Sequence, residues 1–197
     1  MIPRFNGIVV GMDEAGRGSW AGPVVAAAVI LPKGLKLKGL KDSKQVTAKA
    51  REKLFQLIVA ACPYGIGVAT EIEVDEKGLL NATYCAFQRA LENLPTVPDQ
   101  ILIDGRDKFS FKIPHLSIIR GDQKVPCISA ASILAKVSRD RMMVDYAKTY
   151  PNYGFELHKG YGTEAHQRSL RQFGPCDLHR HSYKPLKALQ CSQTAFL

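Results

Sequence analysis

Asp13 and Glu14 are adjacent carboxylates that follow the apolar run Ile8–Met12 and precede Ala15-Gly16-Arg17-Gly18. The run is short and β-branched, which predicts a buried strand that delivers both acids as it leaves the core. Two further apolar runs end similarly. Gln100–Ile103 leads into Asp104-Gly105, and Leu116–Ile119 leads into Arg120-Gly121-Asp122. A single strand-end acid is usually a solvated turn residue. Three strand ends place Asp13, Glu14, Asp104 and Asp122 at one end of a sheet, where α/β proteins tend to put their sites. Four such charges repel one another unless cations neutralise them. Mg²⁺ or Mn²⁺ chooses oxygen ligands and keeps positions open for water and phosphate. A pair of such ions on a phosphodiester activates a water and stabilises the leaving oxygen. The glycine loop beside the acids lets a polymer backbone approach and offers N–H groups to phosphate. Adjacent strand residues face opposite ways, so Glu14 joins Asp13 only if the strand ends or bulges there.

The elements that must hold these acids follow from periodicity and punctuation. Val24–Leu31 predicts a second strand paired with the first. Gly34–Lys44 is a basic loop ending in Asp42-Ser43-Lys44. Thr47 is positioned to cap a helix to about Ala60, with Leu54, Leu57, Ile58 and Ala61 on one face. Tyr64–Thr70 reads as a strand and Asn81–Leu94 as a helix, closed by Pro95 and Pro98. A long helix is expected from Ile128 to Tyr150, stopped by Pro151. His158–Pro185 reads as helix plus loop. Strands alternating with helices after an initial hairpin predict an α/β domain with a mixed sheet.

Composition restricts the partners. The 197 residues are 46% hydrophobic and carry a net charge of +9, which suits one domain with a sizeable core and a polyanionic partner. The charge is uneven. Lys33, Lys36, Lys38, Lys41, Lys44, Lys49, Arg51 and Lys53 crowd one segment, and Arg168, Arg171, Arg180, Lys184 and Lys187 another. Five scattered cysteines without a C-x-x-C pair indicate a reducing compartment. No signal peptide is legible at the N-terminus, and the longest apolar stretch is too short to span a bilayer. A cytoplasmic protein is expected.

The chain resembles ribonuclease HII, the bacterial type 2 ribonuclease H. The resemblance rests on Asp13–Gly18 with Ala21-Gly22-Pro23-Val24, Asp42-Ser43-Lys44, Ile103-Asp104-Gly105 and Gly121-Asp122. It continues through Ser129–Arg141, His158–Thr163 and His179–Tyr183, in the family's order over nearly the whole chain. His181 and Tyr183 stand where the family more usually has Arg and Phe. The resemblance implies a ribonuclease H-like fold: a mixed five-stranded sheet flanked by helices, with a C-terminal helical extension over about residues 155–197. It implies a monomeric endonuclease that cuts the RNA strand of RNA–DNA hybrids. The enzyme would also nick 5′ to ribonucleotides in duplex DNA, leaving 3′-hydroxyl and 5′-phosphate ends. By motif position Asp13, Glu14, Asp104 and Asp122 match the catalytic carboxylates, with Asp13, Glu14 and Asp104 as ligands for Mn²⁺ or Mg²⁺. Gly16, Arg17, Gly18 and Tyr161 match the elements that recognise the RNA–DNA junction. Lys44, Asn81 and Ser132 fall in motifs near the substrate.

Other features read more plainly. Asp140 has Lys136 one helical turn before it, which predicts an ion pair rather than a catalytic role. Cys176, His179 and His181 make only half a zinc site. Tyr161 between Gly160 and Gly162 suits either a loop anchor or a stacking surface for sugar or base. Trp20 is expected to pack under the glycine loop. The tail Gln193–Leu197 faintly resembles a sliding-clamp-binding peptide, although a frayed terminus accounts for it better. Two other classes compete with the nuclease: a two-metal DNA recombinase or structure-specific DNA nuclease, and a non-catalytic nucleic-acid-binding module. The Gly-Arg-Gly and Tyr161 elements oppose the first, since a DNA enzyme needs no 2′-hydroxyl reader. The acids oppose the second, because anions beside a phosphate groove weaken binding unless metal bridges them.

Overall fold

The structure is a computed structural model and describes residues 7–37, 39–40 and 47–188. Asp42-Ser43-Lys44 and the tail Gln193–Leu197 lie outside these residues. The sheet is built from β1 (Val9–Ala15), β2 (Val24–Ile30), β3 (Tyr64–Ala69), β4 (Gln100–Asp104) and β5 (His115–Ile118). Its order is β3-β2-β1-β4-β5. The hairpin side is antiparallel, whereas β1, β4 and β5 run parallel. The C-terminal ends of β1 and β4 therefore emerge side by side at the centre of the sheet.

The helices are α1 (Ala48–Ala61), α2 (Glu71–Lys77), α3 (Leu79–Glu92), α4 (Gly121–Lys124), α5 (Pro126–Thr149), α6 (Phe155–His158) and α7 (Glu164–Phe173). On one face of the sheet, Val10, Met12, Ala26, Ala28, Ile101 and Ile103 pack against Ala82, Ala86, Phe87 and Ala90 of α3. On the other, Ala15, Ala27 and Val29 pack against α1 and α5 through Leu54, Ile58, Ala131, Leu134 and Ala135. A separate cluster of Ala21, Met143, Tyr153, Phe155, Leu170, Leu178 and Leu186 fixes the C-terminal segment to the end of α5.

Gly11 sets how closely α5 crosses the sheet. A Cβ there would overlap the Cys127–Ile128 peptide, so the N-terminal turns of α5 lie directly on β1. This contact brings Ser132 of α5 over the end of β1, beside Asp13.

Several expectations need correction. β1 runs three residues past Met12 to Ala15, so Asp13 and Glu14 belong to the strand and pair with Ala27 and Ala26 of β2. Strand β5 stops at Ile118, and Asp122 lies in the one-turn helix α4, entered through Arg120 in the left-handed region at φ 55°. Asp122 is therefore not a strand-end acid. In α1, Leu57 is 45% exposed and Phe55 is buried in its place, under the Arg141 guanidinium 4.3 Å from its ring. Ala61 is also exposed. Helix α2 was not anticipated, and α3 begins two residues before Asn81.

Candidate active site

The register of β1 resolves how neighbouring acids share one site. Strand β4 pairs with β1 only as far as Met12↔Ile103. Beyond it the β1 edge is uncovered, and Asp13 from one face and Glu14 from the other both border the gap. Asp104, the last residue of β4, borders it from the opposite side. These three carboxylates line one pocket of about 430 Å³ together with Gly16, Arg17, Gly18, Arg51, Ser132, Lys136 and Tyr161.

The pocket holds its negative charge at a cost. Asp13 is buried and its pKa lies well above the ordinary carboxylate value, first because of desolvation and then because of Glu14 and Asp104. Hydrogen bonds from Ser132 and from the Glu14 amide partly offset this. Burial also raises Glu14, against the pull of Arg17. Asp104 accepts the Gly121 amide at 2.6 Å and the Asp122 amide at 3.3 Å through Oδ1, and so caps the N-terminus of α4. This cap sets Asp122 next to Asp104 in the chain's fold, but Asp122 itself does not line the pocket. Asp122 is 1% exposed, and its carbonyl accepts from Ser129 of α5.

Clustered oxygen donors that destabilise one another as anions suit a hard divalent cation. As the side chains stand, no three His, Cys, Asp or Glu among the described residues converge on one metal position. Arg17 shows why for Glu14. Its Nη1 lies 3.3 Å from Glu14 Oε1 and 2.6 Å from Asp107 Oδ2, so the arginine bridges the pocket wall between β1 and the loop after β4. Asp107 carried no motif signal and was missed by sequence reasoning. Lys136, expected as the partner of Asp140 and part of the matched stretch Ser129–Arg141, also lines the pocket and lies 5.6 Å from the Tyr161 ring centroid.

Two buried arginines shape the glycine loop from beneath. Arg139, fully buried, donates to the carbonyls of Pro23, Ala21 and Lys159 and to Ser19 Oγ. Arg180, also fully buried, donates to the carbonyls of Gly22, Arg17 and Ser19. Gly16 adopts φ +96°, and a Cβ there would overlap Arg139. The loop's carbonyls thus turn inward onto guanidinium groups. Burial lowers the pKa of both arginines, Arg139 to about 10, and both stay charged at neutral pH.

Asn81 stands apart from this assembly. It is exposed on α3, where its Nδ2 donates to the Lys77 carbonyl, and it does not line the pocket. Asp140 pairs with Lys136 at 2.7 Å, as its spacing predicted. Trp20 packs under Gly162 rather than under residues 16–18. Cys176 and His179 meet each other and His166 through hydrogen bonds.

Comparisons with known proteins agree with this geometry. The family described as Ribonuclease HII matches residues 10–186. A ribonuclease HII of Burkholderia lata is 50% identical over 186 residues, covering 94% of this chain and 87% of that protein. The ribonuclease H2 structure from Pyrococcus horikoshii OT3 superposes with a TM-score of 0.80 at 27% identity, covering 94% of this chain and 98% of that one. Bst-RNase HIII in complex with Mn²⁺ shares the fold, with a TM-score of 0.74 at 22% identity over 95% of this chain and 70% of that one. Family match, sequence identity and fold similarity agree, and the chain belongs to the ribonuclease HII family, endonucleases that cleave RNA in RNA–DNA hybrids and act on ribonucleotides in DNA.

Proposed function

We propose that Asp13, Glu14 and Asp104 hold Mg²⁺ or Mn²⁺ and that Asp122 is the fourth catalytic carboxylate. The carrying observation is that two adjacent parallel strands deliver three mutually destabilising acids into the pocket that also contains the glycine loop and Tyr161. The Mn²⁺ bound in the RNase HIII structure of the same fold supports a divalent ion here. When bound, such ions supply an activated water and a stabilised leaving oxygen for hydrolysis to 3′-hydroxyl and 5′-phosphate ends.

The chain's own residues do the rest. Ser132 holds Asp13 by a hydrogen bond. Asp104 fixes α4, and with it Asp122, through the helix amides. Lys136 and Arg51 border the pocket with positive charge suited to flanking phosphates. Gly16, Arg17 and Gly18 present a surface without bulky side chains at its glycines, from which backbone groups can meet a 2′-hydroxyl. Tyr161 lines the same pocket, where its ring can stack on the next sugar and its phenol can hydrogen-bond. The substrate is duplex DNA with embedded ribonucleotides as well as RNA–DNA hybrid.

Three duplexes of one sequence test this reading: all DNA, DNA with one ribonucleotide, and RNA–DNA hybrid, each with Mg²⁺, Mn²⁺ or EDTA. Cleavage of the last two only, and only with metal, is expected. Near-normal turnover by folded Asp13→Asn in Mg²⁺ would end the metal assignment.

A further inference from the structure

Tyr161 is held by a chain of imidazoles whose tautomers its partners dictate. His166 Nδ1 lies 3.0 Å from the Tyr161 carbonyl. A carbonyl only accepts, so Nδ1 carries the proton and Nε2 of the neutral ring is an acceptor. His179 Nε2 lies 3.0 Å from that acceptor and must donate to it. His179 Nδ1 then accepts, and the Cys176 amide donates to it at 2.9 Å; the Cys176 carbonyl, 3.1 Å from the same nitrogen, gets no proton from it in this tautomer. His158 stacks on His166 with centroids 4.4 Å apart and planes 15° apart. Its Nε2 donates to the Tyr153 carbonyl at 2.7 Å, and its Nδ1 accepts the Gly160 amide at 3.2 Å.

Two of the three rings are sealed from solvent. His166 is 0% exposed and His179 1%, walled by Trp20, Tyr153 and Phe155. Burial drives the pKa of both rings down to about 4, so they are neutral donors and acceptors under working conditions. The Cys176 amide, His179, His166 and the Tyr161 carbonyl thus form a run in which each link has one donor and one acceptor. Trp20 completes the clamp, since its amide donates to the Gly160 carbonyl at 2.8 Å and its own carbonyl accepts from Arg180.

We propose that His158, His166 and His179 are positioning residues for specificity: they grip the backbone of Gly160 and Tyr161 from the buried side and fix the Tyr161 ring at the pocket. This rests on the reading of Tyr161 as the junction reader. The imidazoles touch no substrate and act only through that loop.

The assay measures kcat and KM on the single-ribonucleotide duplex and on RNA–DNA hybrid, with all-DNA duplex affinity as control. His166→Gln keeps an acceptor for His179 but loses the donor to Tyr161; His166→Asn keeps that donor. His166→Gln is expected to lower kcat/KM on the single-ribonucleotide duplex by about tenfold, the effect of one hydrogen bond. The hybrid should lose less, all-DNA affinity should hold, and His166→Asn should retain most of the activity. Combined with Tyr161→Ala, His166→Gln should add nothing, because both act through one ring. Additive losses, or equal losses on both substrates, would overturn the clamp. If Tyr161→Ala itself leaves the single-ribonucleotide activity unchanged, the junction-reader assignment fails first and the clamp with it. A measurement on the unaltered protein needs no variant to fold: ¹⁵N-histidine NMR should show His166 protonated at Nδ1 and His179 at Nε2, and any other pattern refutes the chain.

Discussion

Arg17 faces two carboxylates, and its choice governs the pocket. Asp107 at 2.6 Å competes with Glu14 at 3.3 Å for the same Nη1. A cation binding Glu14 must displace that arginine, and Asp107 gives it somewhere to stay. Asp107→Ala should therefore raise the Mg²⁺ concentration for half-maximal cleavage several-fold, with little change at saturating metal. A Mg²⁺ titration reads this directly, and an unmoved curve would mean Arg17 does not oppose the metal. Asp13 yields a second expectation. Its folded pKa lies above the ordinary value, so the unfolded chain ionises first as pH rises. The stability of the protonated form is lost as pH climbs through the folded pKa. Asp13→Asn removes that burden. It should abolish cleavage yet raise the metal-free melting temperature at neutral pH, as calorimetry would show. A lowered melting temperature would mean that the Ser132 and Glu14 contacts outweigh the charge.

At the scale of elements, the legible and illegible parts of the sequence divide by range. Strands β1 to β4 and helices α1 and α3 carried their own apolar pattern, α5 was marked by its length and its closing Pro151, and Thr47 accepts the Ala50 amide as a cap should. What escaped was set by contacts distant in sequence. Strand β1 outlasts its apolar run because Asp13 and Glu14 still pair with β2, and pairing is invisible to hydropathy. Asp104, Asp122 and their shared helix cap required knowing that β4 stops beside β1. Helix α2 was marked by Thr70 and Glu73, which form a capping box, but its seven residues carry little periodicity. It matters to the site indirectly. Asp75 accepts the amides of His181 and Ser182 and the Ser182 hydroxyl, tying the Arg180 loop to the sheet domain. Gly11→Ala tests the other support. Its Cβ would push α5 off β1, costing about 1–3 kcal/mol and drawing Ser132 away from Asp13. Urea unfolding and turnover should both fall. A stable but inactive variant would show that α5 placement matters more to the site than to the fold.

At the scale of the molecule, burial and charge pull in different directions. The net charge of +9 favours a polyanion, while the interior carries neutral imidazoles and two guanidinium groups held by carbonyls. The surface term should appear as duplex affinity falling steeply with salt. Neutralising several lysines between Lys33 and Lys53 should shallow that slope, and an unchanged slope would place this segment off the binding face. The interior term should appear with acid. His166 and His179 titrate near 4 in the folded protein, against about 6.5 for a free imidazole. As pH falls through 6.5 the unfolded chain takes up protons that the folded one refuses. Stability is complete above pH 6.5, declines toward pH 4 and levels below it. Each histidine contributes a slope of at most about 1.4 kcal/mol per pH unit. His158 faces both rings and His181 faces His179, so any charge on them adds repulsion, whereas the Tyr161 carbonyl at His166, and the Cys176 carbonyl once His179 Nδ1 gains a proton, oppose it. Asp13 and Glu14 act in the opposite sense, since acid neutralises carboxylates whose burial, and then whose acidic neighbours, disfavour the charge. Urea unfolding at several pH values between 4 and 7.5 should therefore show the histidine decline most clearly in Asp13→Asn, where part of the opposing effect is gone. Combining His166→Asn with His179→Gln in that background should flatten the profile. A decline that survives the double replacement would assign the acid sensitivity to other groups and remove the histidines from the account.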